Sequence, residues 1–262
     1  MTPDTSSPPV QFRADGAIAR IILNRPAKRN AVSPAMAAGL EAALDQLEAT
    51  PELRVCVLSG AGQAAFCAGA DLGYVARGEG EQLSTPRGGF GGFVRYPRRK
   101  PVIAAVHGYA LAGGFEIALA CDLVVAEDTA RFGLPEVTRG LIANGGGVLR
   151  LASMRPRALA LDLLLTGGQL DAAEAARLGL VTRVVPEGRA LDEALGLAAT
   201  IAAHPPAAVR ESLYLANAAG HAPSPELWAL CAELARRVRE SSDALEGARA
   251  FLDRREASWT KP

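Results

Sequence analysis

An acidic side chain stands inside the apolar stretch LAGGFEIALACDL, residues 111–123. A glycine pair is expected to open a short helix there, and Glu116 falls between Phe115 and Ile117. A carboxylate among such neighbours is expected to be buried, and burying an unpaired charge is unfavourable. An acid in the first turn of a helix can simply interact with the helix dipole. The other explanation is that Glu116 takes part in a reaction.

Two similar turns provide backbone N–H groups just past a strand end. CAGADL, residues 67–72, follows the strand predicted at 54–60, and ALAGGFE, residues 110–116, follows the one at 101–108. The second turn opens a helix, whose N-terminus carries partial positive charge. Two N–H donors aimed at one point form an oxyanion hole, which stabilises negative charge that develops during a reaction. Two tight turns without a shared target explain the pattern equally well at this point.

The first of these turns also contains a loose dinucleotide-binding fingerprint, Gly60-x-Gly62-x-x-Ala65. That fingerprint requires a helix directly after the glycines and an acid that ends a second strand about 20 residues later. Here a second turn follows instead, and Glu79 and Glu81 end no predicted strand. The pattern therefore disfavours a nicotinamide site.

Strand and helix patterns alternate along most of the chain. Two short strands flank Asp15-Gly16, which is a hairpin signal. A helix follows, with Ser33 as its N-cap and Pro34 at its first position. Buried-type strands are predicted at 54–60, 101–108 and 122–128. Strands separated by helices at wide spacing favour an α/β fold.

The pattern changes near residue 190, where the strand signals stop. Helices are predicted near 190–203, 206–219, 225–240 and 243–257. We therefore predict a disordered N-terminus at 1–9, an α/β core at 10–195 and a helical region at 196–262. Residues 77–100 are rich in glycine and arginine, which is typical of a mobile loop.

Composition and charge describe an ordinary globular chain. Of its 262 residues, 49% are hydrophobic and 21% are charged, so it can bury a sizeable core. Lys plus Arg and Asp plus Glu both number 28, and zero net charge gives no bulk attraction to nucleic acid or a membrane. The four cysteines lack metal-ligand or disulfide-framework spacing. Without a signal peptide at the N-terminus, we expect a reduced, cytoplasmic protein that binds no metal.

Five stretches of the chain together resemble a known family. They are NRPAKRNA (24–31), AFCAGADL (65–72), PVIAAVHGYALAGGFEIALACDL (101–123), ARFGLPEVTRGLIANGGG (130–147) and LTGGQLDAAEAARLGLVTRVVP (165–186). In this order they are similar to the enoyl-CoA hydratase/isomerase family, the crotonase superfamily. The resemblance extends over about residues 10–257. It implies a crotonase-like ββα spiral core, a C-terminal helical trimerisation region, and a homotrimer or a dimer of trimers.

The resemblance implies that the substrate is an acyl thioester of coenzyme A, with no separate cofactor because CoA is part of the substrate. Ala70 and Gly113 match the family's oxyanion hole, which favours the functional interpretation of the two turns. Lys28 and Arg29 match contacts to the CoA phosphates or adenine, although a solvated turn would also explain them. Further substrate contacts are expected from Ala68, Asp71 and Leu72.

Glu116 matches one of the family's two catalytic glutamates, and Glu136, in GLPEV, matches the other. By this analogy Glu136 is the protonated acid that delivers hydrogen to Cα, and Glu116 orients and deprotonates the attacking water. Two carboxyl groups that face one poorly solvated site resist being ionised together, which leaves one protonated near neutral pH. Family isomerases often keep only one of these acids. The main hypothesis is therefore an enoyl-CoA hydratase, a lyase, of fatty acid metabolism.

The sequence departs from the usual hydratase pattern at two places. Ala112 replaces a glycine in a turn that is often three glycines, and the cost of this replacement depends on the φ angle. Val148 and Leu149, in GGVLRL, replace polar residues, and GGVLRL together with GGFE is similar to the carnitinyl-CoA dehydratase branch. Double-bond isomerisation and carnitinyl-CoA-type dehydration are therefore the alternatives. Neutral charge and the presence of both glutamates disfavour a non-catalytic or RNA-binding member.

Overall fold

The computed structural model describes residues 7–153, 157–204, 206–217 and 242–257, with residues 225, 229, 232, 233, 236, 239 and 240 between the last two ranges. Most of the helix predicted at 225–240 and residues 1–6 of the predicted disordered segment lie outside these residues. The carbonyl oxygens of Pro8 and Pro9 accept hydrogen bonds from the side chain and the backbone N–H of Asn24. The chain is therefore hydrogen-bonded to the core from Pro8, before the predicted boundary at residue 10.

The described strands and helices have the following bounds. The strands are β1 (Val10–Asp15), β2 (Ile18–Leu23), β3 (Val55–Gly60), β4 (Ala65–Cys67), β5 (Ser84–Thr85), β6 (Gly89–Phe90), β7 (Val102–Val106), β8 (Tyr109–Leu111), β9 (Leu123–Glu127), β10 (Arg131–Gly133), β11 (Gln169–Asp171) and β12 (Arg183–Val185). The helices are α1 (Pro34–Ala49), α2 (Leu72–Ala76), α3 (Gly113–Ala120), α4 (Gly147–Ser153), α5 (Arg157–Thr166), α6 (Ala172–Arg177), α7 (Ala190–Ala202), α8 (Pro206–Ala216) and α9 (Ser242–Asp253). Short 3₁₀ turns lie at Pro26–Lys28, Gly80–Leu83 and Pro135–Arg139.

Two sheets form the core of the described chain. The larger has the order β1-β2-β3-β7-β9-β12, antiparallel between β1 and β2 and parallel elsewhere. The smaller has the order β11-β10-β8-β4, and its β4, β8 and β10 are parallel. The predicted hairpin, the three buried strands and the α/β class are confirmed. The central strands β3 and β7 are buried along nearly their whole length because both faces of the sheet are covered.

The chain repeats one unit as it passes between the sheets. β3 and β4, β7 and β8, and β9 and β10 each place one strand in the larger sheet and the next in the smaller sheet. The first two pairs are each followed by a helix, α2 and α3. Because β4, β8 and β10 are parallel neighbours, the turns that follow them lie at the same edge of the smaller sheet. The turns that carry Ala70, Gly113 and Glu136 therefore lie at this edge.

Helix α7 covers the outer face of the larger sheet. Its buried residues are alanines four apart, Ala190, Ala194, Ala198 and Ala202, which form one stripe along the helix. They pack against the apolar side chains of β3, β7 and β9 that point away from the smaller sheet. Small side chains allow the helix to lie close to the sheet, whose other face packs into the main hydrophobic core.

Helix α1 begins where the sequence predicts, because Ser33 Oγ accepts a hydrogen bond from the Met36 N–H at 3.3 Å and Pro34 occupies the first helical position. The segment 77–100 packs against this helix, and Phe93, Val94 and Tyr96 are buried. A Cβ at Gly92 would lie 2.1 Å from the Ala37 carbonyl oxygen. Instead of the predicted mobile loop, the structure has a packed segment, in which Gly92 allows close contact between two backbones.

The described part of the helical region after residue 190 matches its prediction at α7, α8 and α9. Helix α9 folds back onto the core and packs against α2 and the turn Pro135–Arg139. A Cβ at Gly247 would lie 2.2 Å from the Arg139 carbonyl oxygen, so the two backbones are in direct contact. Of the helices that the structure describes, none has the length and apolar character needed to span a bilayer.

Candidate active site

Glu116 lies in the first turn of α3 and is only 2% exposed. The helix begins after Ala112, whose carbonyl oxygen accepts hydrogen bonds from the N–H groups of Phe115 and Glu116 at 2.9 and 3.1 Å. Ala112 has φ 51° and ψ −132°, a combination that is nearly restricted to glycine. The departure noted in the sequence is therefore a strained residue directly before the helix that carries the buried acid.

A glycine turn at residues 145–147 holds the Glu116 carboxylate. The N–H of Gly147 donates to Glu116 Oε1 at 2.8 Å. A Cβ at Gly145 would lie 2.6 Å from Glu116 Oε2, and one at Gly147 would lie 3.0 Å from Oε1. Any larger residue at either position would push the carboxylate away. This role was not predicted from the sequence, although the run of three glycines before a helix is a signal that could have indicated it.

Glu136 lies in the 3₁₀ turn Pro135–Arg139, which Pro135 opens. Its Oε2 is the one buried carboxylate oxygen with no hydrogen-bond partner in the part of the chain that the structure describes. Buried polar atoms are nearly always paired, so a buried oxygen without a protein partner is available to a hydrogen-bond donor on a ligand. The structure thus brings the second glutamate of the sequence analysis to the same site as the first.

The two carboxyl groups interact electrostatically. Burial raises the pKa of Glu116 to about 7, while the Gly147 hydrogen bond and the positive charge of Arg150 oppose this rise. Burial and, secondly, the charge of Glu116 raise the pKa of Glu136 well above its ordinary value. Since Glu116 has a donor for its carboxylate and Glu136 has none at Oε2, the proton is expected on Glu136 at neutral pH.

The two turns identified in the sequence meet beside this pair. The Val32 N–H donates to the Gly69 carbonyl and the Asp71 N–H donates to the Val32 carbonyl, so the chain around Ala70 is held in an extended bridge. A Cβ at Gly69 would lie 3.0 Å from the Gly113 backbone nitrogen. Neither Ala70 nor Gly113 donates its N–H to an acceptor among the described residues. Both N–H groups remain available to a ligand.

The expected CoA contacts lie close to these turns. Lys28 and Arg29 are exposed, and the Arg29 carbonyl oxygen accepts a hydrogen bond from the Ala68 N–H at 3.0 Å. Asp71 caps α2 by accepting from the Gly73 N–H at 3.2 Å, and its other oxygen pairs with Arg25 at 3.0 Å. Its carboxylate therefore supports the turn. Substrate contacts from this group, including half-buried Leu72, stay a prediction.

Two side chains that the sequence analysis did not single out border the site. The Phe90 ring lies on α3, because a Cβ at Gly113 would lie 2.2 Å from its Cε1. Arg139 follows Glu136 in the same turn, donates to the Pro135 carbonyl at 3.2 Å and stacks 5.0 Å above the Phe251 ring of α9. The site therefore has an aromatic wall on one side and a cation next to Glu136.

The family model for "Enoyl-CoA hydratase/isomerase" matches residues 13–262. The chain belongs to this family. A carnitinyl-CoA dehydratase of Proteus mirabilis is 39% identical over 249 residues, which cover 93% of this chain and 95% of the relative. The solved structure of a carnitinyl-CoA dehydratase from Mycobacterium avium is 44% identical with a TM-score of 0.88 and covers 97% of this chain and 99% of its own. An enoyl-CoA hydratase from Mycobacterium tuberculosis is 45% identical with a TM-score of 0.77, at the same coverage.

These likenesses confirm the predicted fold, since the crotonase structures superpose over nearly the whole chain. The chain is an enzyme of the crotonase family. Within the described residues, no group of three or more His, Cys, Asp and Glu side chains is arranged to hold a metal ion. The described residues bring together two carboxyl groups, two backbone N–H groups without an acceptor among them, and two neighbouring arginines.

Proposed function

We propose that this member of the enoyl-CoA hydratase/isomerase family is a hydro-lyase that interconverts a 2-enoyl-CoA thioester and its 3-hydroxyacyl-CoA. The observation that supports this most is the glutamate pair. Glu116 is held as an acceptor by the Gly147 N–H, whereas Glu136 has a buried oxygen without a partner. One base and one acid at the same site are what the addition of water needs.

In the hydration direction, negative charge develops on the thioester oxygen. The N–H groups of Ala70 and Gly113 would donate to this oxygen, and the N-terminus of α3 would add its partial positive charge. Their positions support this role, because the two turns are in contact and neither N–H has an acceptor among the described residues. The thioester would then be polarised before water attacks.

The two carboxyl groups would divide the proton transfers. Glu116, as the carboxylate, would take a proton from water as the water oxygen bonds to Cβ. Glu136, as the acid, would give its proton to Cα as the double bond is lost. The raised pKa of Glu136, caused by burial and by the charge of Glu116, supports its protonated state. Dehydration is the same path in reverse, with a protonated Glu116 and an ionised Glu136.

The acyl group of the substrate has two candidates. The names of the relatives support carnitinyl-CoA-type dehydration better than hydration of a simple straight-chain enoyl-CoA. Such an acyl group carries a quaternary ammonium, which an aromatic face such as Phe90 can bind. Arg139 supports the other candidate, an uncharged acyl chain, because it brings a positive charge to the turn that carries Glu136.

Substrate assays distinguish these possibilities. We expect hydration of crotonyl-CoA, crotonobetainyl-CoA or both, measured as the loss of the absorbance of the enoyl thioester. The ratio of the two kcat/KM values identifies the acyl chemistry. Turnover of a 3-enoyl-CoA, without hydration of any 2-enoyl-CoA, would show that the enzyme is an isomerase and overturn the proposal.

Two substitutions test the roles of the glutamates. Glu136→Gln removes the proton donor and Glu116→Gln removes the base, so each should lower kcat by about 10²–10⁴-fold while the fold is kept. Glu187→Gln, at an exposed turn, is the matched control and should leave kcat unchanged. Near-normal activity of either active-site variant would mean that the roles are wrongly assigned.

The assembly stays a prediction. We propose a homotrimer or a dimer of trimers, supported by large apolar side chains that are exposed on the single chain, among them Leu165 and Tyr214, with 69% and 67% exposure. Burial against another copy would remove these side chains from water.

A further inference from the structure

The side chain of Arg150 joins parts of the site that are distant in sequence. It lies in α4, which begins at the glycine turn. Its Nη1 donates to the Gly145 carbonyl oxygen at 3.1 Å, and its Nη2 donates to the Val94 carbonyl oxygen at 2.7 Å. Val94 belongs to the packed segment 77–100. One guanidinium therefore ties the glycine turn to the neighbouring wall of the site.

The carbonyl that Arg150 holds belongs to the turn that contacts Glu116. Gly145 and Gly147 face the Glu116 carboxylate closely enough that a Cβ on either would meet it. The Gly147 N–H supplies the donor to Oε1. If the Gly145 carbonyl were released, the turn could move away from Glu116, and this donor would move with it. The planar fork of arginine suits two carbonyl acceptors, whereas lysine would be a point charge.

We propose that Arg150 is a positioning residue, whose guanidinium holds the glycine turn against Glu116 and whose charge keeps Glu116, rather than Glu136, in the carboxylate form. The inference rests on the proposed function only in that the Glu116 carboxylate is taken to be the base of the reaction. Arg150 acts through Gly145 and through its charge, so no contact with the substrate is required.

The charges around the pair agree with this assignment. Arg150, from α4, acts on Glu116, whereas Glu116 and Arg139 act on Glu136, in the 3₁₀ turn. Arg98 and the Cys121 thiol also face Arg150, and Arg98 is paired with Asp122 at 2.6 Å. Burial lowers the pKa of Arg150, and the charge of Glu116 opposes this. Arg150 is thus the cation that acts directly on Glu116.

Three variants separate the charge of Arg150 from its two hydrogen bonds. Arg150→Met removes both, Arg150→Lys keeps the charge, and Arg54→Met is the control. Arg54 also donates to a carbonyl, that of Ala202 at 2.9 Å, but at the end of α7 on the outer face of the larger sheet. Thermal unfolding of each variant shows which of them fold.

The pH profile of kcat is the decisive measurement. Arg150→Met should lower kcat about 10-fold or more and move the acidic limb up by about one pH unit, because an ionised Glu116 loses its neighbouring cation. KM should change by less than about threefold. Arg150→Lys should keep the limb in place while kcat falls severalfold, and Arg54→Met should change neither limb nor kcat.

A titration that needs no turnover distinguishes failure of this inference from failure of the proposed function. In a Glu136→Gln background with ¹³C-labelled glutamate, NMR should show the pKa of Glu116 about one unit higher in Arg150→Met than with Arg150. If Arg150→Met does not fold, Arg150→Lys becomes the test. Because lysine keeps the charge, a shift of one unit in the acidic limb of its kcat profile, or in the pKa of Glu116, would overturn the proposal. An unmoved Glu116 pKa in a folded Arg150→Met protein overturns it equally.

Discussion

The glycine at position 145 provides the sharpest test of the geometry around Glu116. A Cβ added there would lie 2.6 Å from Oε2, where ordinary contact begins near 3.4 Å, so the carboxylate would have to move by about 0.8 Å. Gly145 is not among the residues with positive φ, so alanine can adopt its backbone conformation. A displacement of about 1 Å in a catalytic group can cost on the order of 10²-fold in rate. We therefore expect Gly145→Ala to lower kcat about 10²-fold.

The assay compares initial rates of crotonyl-CoA hydration, or of whichever 2-enoyl-CoA is turned over, with thermal unfolding of the same preparations. Gly196→Ala is the matched control, because no heavy atom lies within 4 Å of its added Cβ in α7. It should keep full activity and raise stability by about 0.5–1 kcal/mol, since alanine favours a helix over glycine. A folded Gly145→Ala protein with kcat within about twofold of the unsubstituted enzyme would refute the reasoning.

Two further predictions concern stability. Ala112→Gly should raise the free energy of unfolding by about 1 kcal/mol, because relief of a strained φ of 51° outweighs the extra freedom of glycine in the unfolded chain; a lower urea midpoint would contradict this. Burial raises the pKa values of both Glu116 and Glu136, so the folded protein keeps protons that the unfolded chain loses, and stability should fall as pH rises from about 4.5 to about 7. The variant with both Glu116→Gln and Glu136→Gln should lack this fall in pH-dependent denaturation, and an unchanged slope would rule the explanation out.

Local signals in the sequence were sufficient for most of the elements. Ser33 and Pro34 located the start of α1, because capping and the fixed φ of proline act within one turn. The apolar runs at β3, β7 and β9 indicated buried strands, because a strand covered on both faces needs apolar residues at consecutive positions. The segment 77–100 was misjudged because glycine permits both mobility and close packing. The contact between the Gly92 backbone and the Ala37 carbonyl oxygen, which exists only in the folded chain, shows that here glycine serves close packing.

The glutamates illustrate a different limit. Glu116 was conspicuous because it interrupts an apolar helix, whereas Glu136 was matched only through its resemblance to a family motif. What the sequence could not indicate is that Gly145 and Gly147 clamp one carboxylate and leave the other without a donor at Oε2. Those contacts join residues about 30 positions apart, and no local pattern reports on them.

The sequence by itself determined which residue types are available: two acids, two small-residue turns after parallel strands, and the order of motifs that identifies the family. The tertiary structure alone decided how they differ. Parallel pairing of β4, β8 and β10 brings the turns to one edge of the smaller sheet, and the turn before α4 then supplies its N–H to Glu116 only. The proton affinity of a carboxyl group depends on burial, donors and charges within a few ångströms, and these neighbours exist only once distant parts of the chain have folded together.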